Sequence, residues 1–507
     1  MAELGYITLV LAFAACLFSV AALIFGGKEG TSWLNRNARK LVIAVFILVT
    51  VAVVILETAI LTHHFEIRYV YQYTSKDMSL IYLISAFWAG NAGSLLFWSW
   101  MISICGFVLV IRQRPGKREL TPYTLAVVMA TKAFFTMLVL FFSNPFARLD
   151  HAPSDGLGMN PLLENPGMLL HPPTLLAGWA LFTVPFAFAV SALINNKLDN
   201  TWISYARRWT VMAWLLLGVG NIIGAWWAYA VLGWGGYWAW DPIENAGLIP
   251  WLLSTAFIHS MVVQKRRGGF KLWNITLIVA VFTTIMLGAF LTRSDILQSV
   301  HTFGRTQMDL PFFGLMAVAL VGSIGLIIWR RKSLVSEMNI NSFLSREAAF
   351  LLANFLIVGA AVITLTGTLA PAFSETLTIE ESFFNQSVVP ILIAVILLAG
   401  LCITIGWRRP DARRLRFTLI SSGTAALAVT AGLLIAGIRE WYAIIPVLVS
   451  VFTIVSSIMV WLSDVHSRKR ALSENYAAAS VNLVRSNRAR YGGYLVHIAI
   501  AIMAIGI

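Results

Sequence analysis

The hydrophobic positions of this 507-residue chain fall in blocks of about twenty, separated by short polar stretches. A block of that length crosses the ~30 Å hydrocarbon layer of a bilayer as a helix. Backbone groups in lipid must bond internally, so each block is predicted to be helical. The pattern predicts about fourteen spans by this length rule. Their cores lie at 6–25, 41–62, 88–111, 122–145, 174–194, 209–230, 247–264, 273–291, 311–329, 349–370, 388–406, 417–437, 441–463 and 491–507. The apolar stretch 79–87 predicts an extra half-helix ahead of the third core. No segment has the composition of a soluble domain, and no internal repeat is visible. The expectation is one all-α polytopic transmembrane domain over 1–507, with external loops at 146–173, 226–251, 292–310 and 371–387. The first block does not read as a signal peptide: Glu3 stands where a basic region belongs, and Cys16 lacks the flanks of a removed segment.

Composition agrees. Hydrophobic residues make up 59% of the chain and charged residues 12%, against roughly 25% charged in soluble proteins. The charge that remains is distributed by loop. Basic residues gather in alternate loops: Arg36, Arg39 and Lys40; Arg112, Arg114, Lys117 and Arg118; Arg207 and Arg208; Lys265 to Arg267; Arg330 to Lys332; Arg408 to Arg416; Arg468 to Arg490. The positive-inside rule puts these in the cytoplasm and the amino terminus outside. The intervening loops are acidic or nearly neutral, with Asp150, Asp155 and Glu164 in one and Glu375, Glu380 and Glu381 in another. The net charge of +14 is therefore mostly a topology signal and does not argue for nucleic acid. Cys16, Cys105 and Cys402 lie apart within spans, so a dithiol centre or a cysteine metal site is excluded.

The window 226–251 reads WWAYAVLGWGGYWAWDPIENAGLIPW and holds six of the nineteen tryptophans. An aromatic belt at the membrane surface accounts for one or two tryptophans at each helix end. It does not account for Trp234, Trp238 and Trp240 set around Gly233, Gly235 and Gly236 in a loop. Glycines admit close approach of a ligand, and flat indoles offer apolar faces, which suits a porphyrin. Trp226 and Trp227 enter the same window. Asp241 and Glu244 have the spacing of a capping box, with Pro242 at the first helical position. Capping is the preferred reading for both over acid–base chemistry.

Eight histidines sharpen the picture. The topology puts His171 (in LLHPP) and His301 (in SVHTFG) outside, on the face of the tryptophan loop. Two neutral imidazoles can fill the two axial positions of a haem iron. His259 and His497 lie inside spans, where histidine is costly and usually functional. The two sit five and six residues from their inner ends, roughly 8 and 9 Å deep by helical rise. An interhelical hydrogen bond for each is the competing reading. Lys132 and Glu57 are also intramembrane; an accommodating ion pair between them is the first expectation and a quinol site the second.

WGGYWAWDPIENA resembles the tryptophan-rich WWD signature of the membrane proteins that handle haem in cytochrome c maturation. The wider resemblance is to the CcmF-type haem lyase family. It includes NPFARLDHAPSDGLGMNPLLENPGMLLHPPTLLAGW, FLTRSDILQSVHTFG, YLVHIAIA and the early WAGNAGSLLFW. It covers nearly the whole chain. The resemblance implies that His171 and His301 ligate an external haem in transit beside the signature (Trp226, Trp227, Trp234, Gly235, Gly236, Trp238, Trp240 and Asp241). It further implies that His259 and His497 hold a permanent transmembrane haem b, which reduces the incoming iron with electrons from a donor such as quinol. Asp295 and the pair Asn91–Ala92 depart from the family pattern. The family also continues past the position of Ile507, so a truncated chain is expected. The implied reaction is a holocytochrome c synthase (haem lyase) activity: covalent attachment of haem to the CxxCH motif of apocytochrome c on the periplasmic side of a bacterial inner membrane. The implied partners are a CcmE-like haem chaperone and CcmH/CcmI-like subunits that present the reduced apocytochrome. Haem propionates need cations, and Arg293 and Arg305 flank His301. Alternatives are a haem exporter without attachment chemistry and a specialised NrfE-like lyase for a nitrite-reductase cytochrome.

Overall fold

A computed structural model describes residues 1–26, 32–112, 121–233, 235–294, 296, 297, 299, 301–304, 306–336, 346–374, 379–405 and 412–506. Trp234, Asp295 and Arg305 lie outside the described residues. Among those described there are fourteen helices long and apolar enough to cross a membrane. They are α1 (Ala2–Phe25), α2 (Trp33–Leu61), α3 (Asn91–Ile111), α4 (Pro122–Phe141), α5 (Pro166–Ile194), α6 (Asn200–Val231), α7 (Pro242–Arg267), α8 (Lys271–Leu291), α9 (Asp309–Trp329), α10 (Glu347–Phe373), α11 (Glu381–Thr404), α12 (Leu415–Ile435), α13 (Trp441–Leu472) and α14 (Arg488–Gly506). Each contains or closely overlaps one of the predicted cores, and the described residues form no strand. The chain is an all-α, multi-pass membrane protein. The stretch 79–87 is a separate short helix, Leu80–Ala86.

Where composition suggested one domain, the helices pack as two compact units: Met1–Glu337 with Leu365–Ile379, and Met338–Thr364 with Glu380–Ile507. The division falls within α10. Apolarity does not change there, because helices of both units must be apolar to sit in lipid.

In the first unit, alternate loops meet at opposite ends. At one end, the segment after α2 docks on the segment after α4: the Arg68 N–H donates to Ala147 O at 2.8 Å, and the Lys76 N–H to Asp155 at 3.0 Å. At the other end, Arg330 donates to Leu193 O and Ile194 O, and Asn200 donates to Lys265 O. Local signals set the helix ends. Asn165 caps α5 through the Gly167 N–H, and Asp199 caps α6 through the Thr201 N–H. α7 stops at Gly268 in the left-handed conformation, φ 70°. Polar side chains join α7 to α8: Ser260 donates to Asn274, which donates to Gln264 at 2.8 Å.

In the second unit α13 is the central helix, packed against α11, α12 and α14. Arg490 and the Tyr491 hydroxyl both meet Asp464, at 2.7 and 3.0 Å. Their helices close over Ile403, Val460, Tyr491 and Tyr494.

Lys132 and Glu57 do not form the expected ion pair. The Lys132 ammonium is fully buried and donates to Ser99 at 2.7 Å and to Thr136 at 2.5 Å. Hydroxyls one turn along its own helix and on the facing α3 are nearer partners than a carboxylate on α2.

Candidate outer haem site

His171 sits in the first turns of α5, just before Pro172 and Pro173. Proline has no N–H, so Pro172 leaves the Met168 carbonyl without its helical donor. The Trp88 indole N–H fills that place at 2.8 Å, which ties the WAGNAG segment to α5. The imidazole lies against α6. Its Nδ1 donates to Gly220 O at 2.8 Å, and a Cβ added at Gly224 would stand 2.6 Å from the ring. Trp227, one helical turn beyond Gly224, packs against the ring with centroids 5.9 Å apart. Gly220 and Gly224 form a GxxxG pair, which lets a neighbouring helix and its side chains approach closely. The sequence reading missed this pair, although GNIIG is visible at 220–224.

His301 comes from the loop between α8 and α9, and its partner is Asp241. The capping box is present as expected: Asp241 accepts from the Ile243 N–H at 3.0 Å, and Glu244 accepts from the Asp241 N–H at 3.3 Å. The same oxygen of Asp241 also accepts from Ser299 at 2.7 Å and from His301 Nδ1 at 3.1 Å. Capping and histidine contact thus fall on one carboxylate. Burial opposes its charge, but His301, Ser299 and the Ile243 N–H together hold its pKa below the ordinary aspartate value. His171 packs against Trp227 and His301 against Asp241, so two histidines 130 positions apart in sequence both meet the tryptophan-rich window.

Arg293 is placed differently from the expectation that it binds propionate. Its side chain is 1% exposed. Nε donates to Asn91 at 2.9 Å, one terminal nitrogen to Ala289 O and Thr292, and the other to Ser94 at 3.1 Å. Its backbone carbonyl accepts from both the N–H and the hydroxyl of Thr306. Arg293 therefore anchors the His301 loop to the start of α3. Burial lowers its pKa to about 9, which leaves it cationic at neutral pH.

The tryptophans divide. Trp226 is 46% exposed, the position of a belt residue. Trp238 and Trp240 meet edge to face at 6.2 Å. Trp240 adopts φ 55°, a left-handed conformation that costs a bulky residue on the order of 1–3 kcal/mol. Asn245, unremarked in the sequence reading, donates to Trp240 O at 2.9 Å and holds that turn. Gly235 takes φ 74°, and Gly236 has open space around it.

The residues fit an iron porphyrin on two observations. Both imidazoles carry the Nδ1 hydrogen toward an acceptor, the tautomer in which Nε2 holds the lone pair a haem iron needs. Trp227 and Trp238 also bury indole N–H groups that meet no acceptor among the described residues, and propionate or other oxygen atoms would satisfy them.

His259 stands eighteen positions past Asp241 on α7, about 27 Å away by helical rise. No single iron could use both His301 and His259. His259 Nδ1 donates to Thr255 O at 2.7 Å, the tautomer whose ring lone pair is on Nε2. On the same helix face, Thr255 accepts from Trp214, which stacks on Trp251 at 5.6 Å. His497, half-buried on α14, belongs to the second unit. His259 lies eight positions before the basic end of α7, and His497 nine after the basic start of α14.

The fold and this site define a polytopic membrane protein of cytochrome c assembly: residues 88–298 match the family described as Cytochrome C assembly protein. The cytochrome c-type biogenesis protein CcmF of Haemophilus influenzae is 32% identical, over 100% of this chain and 78% of its own length. The biogenesis protein NrfE of the same organism is 32% identical over 87% of this chain and 69% of its own. A solved structure, Cytochrome c Heme Lyase CcmF, superposes with a TM-score of 0.79 at 29% identity, covering 99% of this chain and 76% of that one. The chain belongs to the CcmF family of cytochrome c-type biogenesis proteins.

Proposed function

We propose that this protein is a holocytochrome c synthase, joining haem to the CxxCH motif of an apocytochrome c. The carrying observation is the pair His171 and His301 beside the tryptophan loop, each with Nδ1 tied down. Each of two substrate thiols adds its S–H across one haem vinyl group, so two thioether bonds form with no by-product. The chain's own part is positioning. His171 and His301 ligate the iron of the substrate haem, while Trp238 and Trp240 cover its apolar face. Gly235 and Gly236 leave one edge open to the peptide. The apocytochrome brings both thiols, since Cys16 and Cys105 are buried and Cys402 lies within a span.

His259 and His497 are the residues that would hold a resident haem b, which supplies an electron to the outer iron, with quinol as the donor. The 27 Å offset along α7 supports two separate sites. The alternation of basic loops supports an inner-membrane orientation with the amino terminus and the tryptophan loop on the periplasmic side. There a CcmE-like chaperone would deliver haem, and CcmH/CcmI-like subunits would present the apocytochrome.

Replacement of His171 or His301 by alanine should abolish covalent haem attachment while the protein still inserts in the membrane. Normal attachment in either variant overturns the reading. The NrfE match favours one second reading, a lyase specialised for a nitrite-reductase cytochrome. Attachment to a CxxCK substrate but not to CxxCH would select it. An exporter would release haem without forming thioethers to either.

A further inference from the structure

The two outer imidazoles are backed by different acceptors. His171 Nδ1 donates to a neutral peptide carbonyl, Gly220 O, at 2.8 Å. His301 Nδ1 donates to a carboxylate, Asp241, at 3.1 Å, and that carboxylate is only 10% exposed. Ser299 and the Ile243 N–H bond the same oxygen and fix its direction. A hydrogen bond from imidazole to carboxylate pulls the ring toward imidazolate character and makes Nε2 a stronger donor to a metal. A backbone carbonyl does this less. A stronger axial donor stabilises ferric over ferrous iron, one of the levers by which a protein sets haem potential.

We propose that Asp241 is a positioning residue that makes His301 the stronger of two unequal outer ligands and thereby lowers the reduction potential of the outer haem. The inference rests on the reading of His171 and His301 as outer iron ligands. It gives Asp241 a role beyond closing the first turn of α7. The need for a reductant at this site follows from the same carboxylate.

The test separates the two roles of Asp241. Asparagine caps helices as well as aspartate, so Asp241→Asn keeps the turn and removes the charge. The full-length protein loaded with haem is titrated by optical potentiometry. The outer component is the one absent from His301→Ala. In Asp241→Asn the ferrous form of that component should gain at least tenfold over ferric, about +59 mV for one electron, with the low-spin spectrum kept. An unchanged midpoint with haem still bound overturns the inference and leaves the ligand reading intact.

A second measurement covers the case in which Asp241→Asn loses haem. In His301→Gly, added imidazole fills the vacated position and can donate to Asp241, whereas N-methylimidazole cannot. Imidazole should bind the iron at least tenfold more tightly than N-methylimidazole, and the preference should disappear when Asp241→Asn is added. Equal binding of the two ligands overturns the inference. If the wild-type protein has no haem component that depends on His301, the ligand reading itself fails and the inference falls with it.

Discussion

Gly224→Ala is the smallest change that tests the His171 seat. The new methyl would stand 2.6 Å from the imidazole Cε1 and Nδ1. Ordinary contact begins near 3.4 Å, so the ring must retreat by about 0.8 Å. Trp227 and the hydrogen bond to Gly220 O, 2.8 Å long, both resist that movement. A retreat along the bond stretches it past the normal range and forfeits about 1 kcal/mol. The larger effect is on placement, since a ligand misplaced by about 1 Å can cost on the order of 10²-fold in rate. The assay is covalent haem attached to a co-expressed apocytochrome, read by haem stain, beside the optical spectrum of the purified protein. The expected result is a loss of about a hundredfold in attachment with the membrane-haem band retained and stability lowered by no more than about 1 kcal/mol. Gly178→Ala is the contrasting control. Its methyl would meet Leu217 backbone at 2.7 Å, which must push α5 from α6 and destabilise the fold by roughly 1–3 kcal/mol. Wild-type attachment and an unaltered outer-haem spectrum in Gly224→Ala would refute the proposed seat.

Other perturbations test the rest of the arrangement. Arg293→Ala should lower stability by about 3 kcal/mol or more, because it strands the buried Ser94 and the partly buried Asn91 and unpins the His301 loop; thermal unfolding measures this, and an unchanged midpoint counts against the anchor. His259→Ala or His497→Ala should strip the b-type absorbance from the purified protein, whereas His301→Ala should keep it; a full spectrum in either membrane variant would favour plain interhelical hydrogen bonds. Trp238→Ala or Trp240→Ala should weaken haem capture by about 1–3 kcal/mol and leave the membrane haem in place, and unchanged capture in the double variant would reduce the loop to a belt. Lys132→Met and Glu57→Gln should add within about 0.5 kcal/mol, as unpaired sites do; a larger coupling energy would mean the two charges interact after all.

Much of this protein was legible in the sequence because lipid imposes a simple rule. A span must be apolar for about twenty residues, so the fourteen membrane-crossing helices among the described residues could be counted from hydropathy alone. The capping box at Asp241 and Glu244 was equally legible, since it joins residues three apart. The four candidate histidines stood out because a polar ring is costly in or beside hydrocarbon. What only the tertiary structure decided depends on which helix faces which. Gly220 and Gly224 matter because α5 packs on α6 there. Arg293 is an anchor because α3 supplies Asn91 and Ser94 from 199 and more positions away. Lys132 turned to hydroxyls because Ser99 and Thr136 lie nearer than Glu57. Asp241 meets His301 across 60 positions, and no local periodicity encodes that contact. A hydrophobic pattern says that a helix spans the membrane, but nearly uniform apolar faces do not say how it is rotated. In this protein the rotation decides which acceptor each imidazole Nδ1 meets, Gly220 O for His171 and Asp241 for His301.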